Sequence, residues 1–212
     1  LIVRNFYRAL AFDFIGFGHS EKPRMRYSYD LQLRCLEMLW KAHGVTRTVI
    51  VAHDYGSTAA QELLARHAEG RLPVDVEGAV LLNGGLFPET HRARPIQKLL
   101  ASPAGPLLSS VLGKKAFDRS FSRVFGEATK PSAVELADYW SLIAHGDGRH
   151  VFSSLIGYMG DRRQHRERWV GALREARHEL LRATPVQLEP AWVVAAGHRD
   201  VRSLSNLDGG QL

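Results

Sequence analysis

The chain holds 212 residues, 45% hydrophobic and 24% charged, with 28 Lys plus Arg against 22 Asp plus Glu for a net charge of +6. These proportions are those of a globular protein with one large core or two small ones, and they exclude intrinsic disorder and fibrous architecture. No stretch approaches the roughly 20 uninterrupted apolar residues of a bilayer-spanning helix, and a single cysteine, Cys35, excludes an internal disulfide scaffold.

In chain order, the run from Arg8 to Asp13 is apolar until its last residue and meets the turn-forming Gly16 and Gly18, which predicts a buried strand feeding a loop. Asp30 is placed to cap a helix that carries Leu33, Leu36 and Trp40 at helical spacing and ends at Gly44. Cys35 falls inside that apolar pattern and reads as a buried thiol rather than a nucleophile. A second strand is predicted from Thr46 to Ala52, a helix from Tyr55 to Glu69 that stops at Gly70, and a third strand from Val76 to Leu82. Strands alternating with helices at this spacing predict an α/β fold, because parallel neighbours need a connection long enough to hold a helix. From Glu89 to about Leu181 the pattern is helical and interrupted by Pro103, Gly105, Pro106 and Pro131, as in an inserted cap. A short apolar run from Ala191 to Ala196, closed by Gly197, predicts a fourth strand. The division expected is residues 1–88 for the first part of the core, 89–181 for a helical cap and 182–212 for a partial return to the core.

The net positive charge raises the question of nucleic acid or an anionic membrane as partner. The densest basic run, Arg162, Arg163, Arg166 and Arg168, has Asp161 and Glu167 within it and reads as a solvated helix face, and no nucleic-acid-binding motif accompanies it. Binding to an anionic surface through this run is the alternative. Ten histidines are present, yet none forms a His-x₃-His or similar pair with a matching carboxylate or thiolate, so neither a metal nor an organic cofactor is implied. Trp140, Tyr139, Tyr158 and Trp169 of the helical region suit either ordinary packing or an apolar substrate pocket, and packing is the simpler reading.

The chemistry concentrates in Ala52-His53-Asp54-Tyr55-Gly56, where a strand turns directly into a helix with small residues two positions either side of Asp54. This is the pattern of a nucleophile elbow: a strained turn lifts the central side chain clear of the sheet, and larger flanking residues would clash in it. An Asp there predicts attack by its carboxylate on a carbon bearing a leaving group, giving an ester that water later hydrolyses. The Tyr55 N–H is the expected oxyanion donor. The competing reading is that Asp54 simply caps the following helix.

The segment Phe12-Asp13-Phe14-Ile15-Gly16-Phe17-Gly18-His19-Ser20 resembles the D-x-x-G-x-G-x-S segment that ends an early strand in α/β-hydrolases. His53-Asp54-Tyr55-Gly56 resembles the Asp-nucleophile branch of that superfamily, which includes epoxide hydrolases and haloalkane dehalogenases, although Trp is usual where Tyr55 stands. Ala60-Gln61-Glu62-Leu63-Leu64, Asn83-Gly84-Gly85-Leu86-Phe87-Pro88-Glu89-Thr90-His91-Arg92 and Arg168-Trp169-Val170-Gly171-Ala172-Leu173 are similar to the mesoderm-specific transcript protein family over roughly Leu1 to Leu173. The resemblance implies a partial α/β-hydrolase fold, a mostly parallel sheet with a helical cap, and hydrolysis of a small apolar or lipid-like substrate. It also implies endoplasmic-reticulum membrane association, through parts outside this chain.

The resemblance further implies an upstream His-Gly loop for the second oxyanion donor, a late histidine to activate water, and a carboxylate supporting it. Asp200, after Gly197, is the candidate supporting acid, an exposed loop carboxylate being the other reading, and Glu89 is a weaker candidate. His53 and His198 read as surface histidines. The first residue is Leu1 and no histidine follows Asp200, so a truncated chain is expected, with a non-catalytic binding or regulatory role as the alternative function. In that case the strand bearing the His-Gly loop is missing between the first and second strands. Those two must then pair directly or leave a gap, and an isolated chain is expected to be unstable.

Overall fold

The computed structural model describes residues 7–82, 84–180 and 192–196. Four strands, β1 (Arg8–Phe12), β2 (Arg47–His53), β3 (Asp75–Leu82) and β4 (Trp192–Ala196), form one wholly parallel sheet in the order β1-β4-β2-β3. The helices are α1 (Tyr29–Ala42), α2 (Tyr55–Ala68), α3 (Pro95–Leu100), α4 (Gly105–Val111), α5 (Lys114–Ser122), α6 (Ala133–Ala144), α7 (Val151–Leu155), α8 (Tyr158–Gln164) and α9 (Arg166–Leu180). The alternating strands and helices thus appear where the sequence pattern put them, within one or two residues. From Pro88 to Leu180 the described residues hold helices and 3₁₀ turns and no strand.

The expected break in the sheet is corrected. Neither direct pairing of β1 with β2 nor a gap occurs, because β4 lies between them, in register Leu10↔Val194 on one side and Ile50↔Val194 on the other. Inserting a strand satisfies the inner backbone edges of both neighbours, which an open gap would leave without partners.

Helix α1 begins two residues earlier than a cap at Asp30 predicts. Ser28 is the N-cap: its hydroxyl accepts from Leu31 N at 3.2 Å, and Asp30 lies in the first turn, where its charge favours the helix N-terminus. The helix ends as expected, with Gly44 at φ +64°. Leu33 and Trp40 are completely buried, and with Leu36 they pack into a core shared with Ile50, Ala52, Ala59, Ala60, Leu63 and Val76. Cys35, on the flank of this stripe, is only partly buried.

Along β2, Thr48, Ile50 and Ala52 face this core and alternate with the half-buried Val49 and Val51. Val80, opposite Val51, is exposed, as is Leu82, so among the described residues the second face of the β2–β3 pair is the less covered one. α9 lies against both α2 and β3. A cavity of about 330 Å³ between α2, β3 and α9 is lined by Leu64, Val76, Ala79 and Ala172, away from the β2–α2 turn.

Candidate active site

The functional geometry begins where β2 stops. Pairing with β3 runs to His53↔Leu82, and Asp54 N then donates to Leu82 O at 3.2 Å. The next residue is already helical, so Asp54 absorbs the whole change of direction at φ 47°, ψ −108°, one of two described non-glycine residues with positive φ. Such a backbone costs of order 1–3 kcal/mol. The Asp54 side chain makes no capping hydrogen bond to α2, so the capping reading has no support in the geometry. The side chain stands exposed at the carboxyl end of a central strand. Tyr55, as the first residue of α2, has an N–H without an intrahelical acceptor.

Glycine is required nearby for close approach. A Cβ on Gly84 would strike the Ser57 side chain and stand 3.2 Å from Asp54 O. Ser57, fully buried, donates to Ala52 O and Leu82 O at 3.3 Å each, tying the elbow to both strand ends. On the other flank, Asp13 organises the loop after β1: its Oδ2 accepts from His19 N at 2.9 Å and its carbonyl from Ser20 Oγ at 2.7 Å. Gly18, at φ +51°, packs so closely on the Asp13 carboxylate that a Cβ would overlap it. The two glycines of this motif shape the loop and carry no reacting group.

The Tyr55 ring enters an aromatic nest, stacked on Tyr29 at 4.8 Å and edge-on to Phe14 at 5.5 Å and Tyr158 at 6.2 Å. Burial pushes the Tyr29 and Tyr55 hydroxyls well above the usual phenol range, so both stay protonated. Tyr158, from α8, stands over the elbow, edge-on to His91 at 6.2 Å, with its hydroxyl accepting from Gln97 Nε2 at 3.1 Å. Burial lowers the pKa of His91, Arg162 and Arg163 lower it further, and the Asp54 carboxylate opposes them. His91 is therefore neutral at pH 7, and its buried Nε2 has no hydrogen-bond partner among the described residues.

The expectation of a solvated basic face is corrected at Arg162, which is only 4% exposed. Its Nε donates to Thr58 Oγ1 at 2.7 Å, and its guanidinium lies 4.6 Å from the Tyr158 ring centroid. Arg166 pairs with Glu89 at 2.6 Å, so Glu89 is occupied as a partner across the cap. Arg168 pairs with Glu62 and Glu69. Sequence reasoning missed Arg162 and left Tyr158 as a packing residue, because Arg162 meets Thr58 across 104 positions of chain. Trp169 is a core residue, 2% exposed, with Nε1 donating to Glu62 at 2.6 Å, and Trp140 and Tyr139 pack on Phe117 and Phe121. His53 is exposed at the end of β2. Asp200 and His198 lie outside the described residues. Among those described, no group of three His, Cys, Asp or Glu side chains is placed to hold a metal ion.

Comparison with known proteins matches residues 3–129 to the family described as the alpha/beta hydrolase fold. The chain belongs to the α/β hydrolase fold family. The chain is 44% identical over 165 residues to LipZ of Mycobacterium tuberculosis, covering 77% of this chain and 57% of LipZ. It is 42% identical over 175 residues to the mesoderm-specific transcript homolog protein of Bos taurus, covering 80% of this chain and 52% of that protein. The chain thus spans about half the length of the curated relatives it matches. Among solved structures it superposes on a single-residue mutant of the haloalkane dehalogenase DatA from Agrobacterium tumefaciens with a TM-score of 0.60 at 15% identity, covering 86% of this chain and 70% of that one, a likeness of fold.

Proposed function

We propose that the protein carrying this chain hydrolyses a small apolar or lipid-like substrate through an ester formed on Asp54. The observation that carries this reading is the Asp54 backbone at φ 47°, with its side chain exposed and uncommitted to capping. Strain at a residue whose side chain supports no local structure points to a role in chemistry. The name of the structural neighbour, a haloalkane dehalogenase, agrees with an alkyl carbon as the centre attacked.

In the first step an Asp54 carboxylate oxygen attacks the carbon; its bond to halide or epoxide oxygen breaks, and the leaving atom departs with the electron pair. In the second, water adds to the ester carbonyl carbon and gives up a proton to a base. The oxyanion so formed accepts from the Tyr55 N–H and then collapses, expelling the oxygen that Asp54 supplied as the product alkoxide, which takes the proton back from the base to become the alcohol. Asp200 is proposed as the acid supporting that base. Residues 1–88 and 182–212 would form the core and 89–181 the cap. The aromatic rings of Tyr55 and Tyr158 supply apolar surface for the substrate.

A single turnover of an epoxide or haloalkane probe by the intact protein in H₂¹⁸O tests this. The label is expected in the peptide containing Asp54 and not in the product alcohol. Label in the alcohol alone would overturn the mechanism. Association with the endoplasmic-reticulum membrane is proposed from the family resemblance; among the described residues no helix is long and apolar enough to cross a membrane.

A further inference from the structure

The buried Arg66 and the half-buried Arg168 both have counter-ions. Arg66, 7% exposed, pairs with Asp30 and Glu37 at 2.8 Å and with Glu62 at 2.9 Å. Arg168 pairs with Glu62 and Glu69. Arg162 is buried more deeply than either, yet among the described residues no carboxylate lies within 4.0 Å of its guanidinium. Asp161, its sequence neighbour, pairs with Arg26 at 3.8 Å. Nε is satisfied by Thr58 and one face of the guanidinium by the Tyr158 ring, while Nη2 is buried with no acceptor. A buried cation without an anion is costly, and the planar fork of arginine matches the two oxygens of a carboxylate.

The position of this group relative to the elbow is set by three contacts. Thr58 lies one turn along α2 from Asp54, on the same face. Gly85, next to the glycine that packs on Asp54 O, lies against Nη1: a Cβ there would stand 2.6 Å from it. Tyr158, which the guanidinium covers, packs on Tyr55. The unpaired donor therefore sits at the seam between α8 and the elbow.

We propose that Arg162 is a substrate-binding residue that receives a carboxylate, so that the molecule acted on at Asp54 is an amphiphilic acid with an apolar chain. Its use in turnover rests on the reading of Asp54 as nucleophile; the binding itself does not.

The test is calorimetric titration of the intact protein, as wild type and as Asp54→Asn, with octanoate and its neutral isostere octanamide. Octanoate is expected to bind at least tenfold tighter than octanamide in both proteins. Arg162→Met should abolish that preference while leaving octanamide affinity within about twofold. Arg162→Lys, which keeps the charge but not the fork, should retain part of the preference and decides the matter if the Met variant does not fold. Equal affinity for the two ligands, no octanoate binding up to millimolar concentration, an unchanged preference in Arg162→Lys, or equal weakening of both ligands by Arg162→Met would each overturn the proposal. Persistence of the preference in a protein that shows no label at Asp54 would reject the nucleophile and keep the site.

Discussion

Replacing Glu62 with alanine probes a buried carboxylate on which α2 and α9 converge. Glu62 is 8% exposed and accepts from Arg66 Nε at 2.9 Å, from Trp169 Nε1 at 2.6 Å and from Arg168 Nη1. Breaking a buried ion pair from one side typically costs about 3–5 kcal/mol because the partner charge is stranded. Here neither cation is stranded completely. Arg66 keeps Asp30 and Glu37, and Arg168 keeps Glu69. The Trp169 N–H has no substitute, and an unsatisfied buried donor costs about 1–3 kcal/mol. The lower part of the ion-pair range, about 3 kcal/mol, follows for Glu62→Ala. At about 2–4 °C per kcal/mol for a chain of this size, that is a fall in Tm of about 6–12 °C.

The same network predicts the response to acid. Burial by itself raises the Glu62 pKa, but hydrogen bonds from Arg168, Arg66 and Trp169 outweigh it and hold the carboxyl below the usual range. Glu69 is held at about 2, chiefly by Arg168. A carboxyl whose folded pKa is depressed stabilises the fold above its unfolded value and loses that contribution as pH falls through the folded value. Stability should therefore decline from about pH 4.5 towards pH 2, and Glu62→Ala should flatten that decline. Thermal melts followed by circular dichroism at pH 7 and pH 3, each at low and at about 1 M salt, measure both effects. Screening should change the difference between wild type and variant little, because the pairs are buried. A Tm within about 1 °C of wild type for Glu62→Ala, or an unaltered pH profile, would refute the reasoning.

Asp54→Gly is expected to abolish turnover while leaving stability unchanged or up to about 1 kcal/mol higher, since glycine accepts φ 47° without strain and no capping bond is lost. Urea denaturation that shows a loss above about 1 kcal/mol would return Asp54 to a capping role. Gly84→Ala should cost about 1–3 kcal/mol by overpacking against the buried Ser57, and it should lower turnover at least tenfold by displacing the Asp54 carbonyl. Wild-type kcat in a stably folded Gly84→Ala protein would show that the elbow tolerates the shift.

Much of the candidate site is legible in the sequence because an elbow is a local object. Five consecutive residues, Ala52 to Gly56, contain the end of a strand, the strained residue and the small neighbours that permit it. The helix ends at Gly44 and Gly70 are local in the same sense, since only a residue free to adopt φ +64° and φ +65° closes them without strain. Where local reasoning erred, it placed the α1 cap at Asp30; the cap is Ser28, two residues earlier, whose extended backbone and hydroxyl serve the first turn. The aromatic side chains divided in the same way. Tyr158 and Trp169 have similar amphipathic character and lie in the same helical region, yet one packs edge-on to Tyr55 at the elbow and the other fills the core beside Glu62.

By itself, the sequence determined the alternation of strand and helix, the parallel sheet and the elbow at Asp54, all of which follow from periodicity and turn chemistry within a few residues. Tertiary structure alone decided that β4 lies between β1 and β2, that Tyr158 closes over Tyr55, and that Arg162 is buried without a counter-ion among the described residues rather than solvated. The reason is range. Strand order and the partner of a buried charge depend on groups that meet only after the chain has packed, and Arg162 reaches Thr58 across 104 positions, where no local pattern records the encounter.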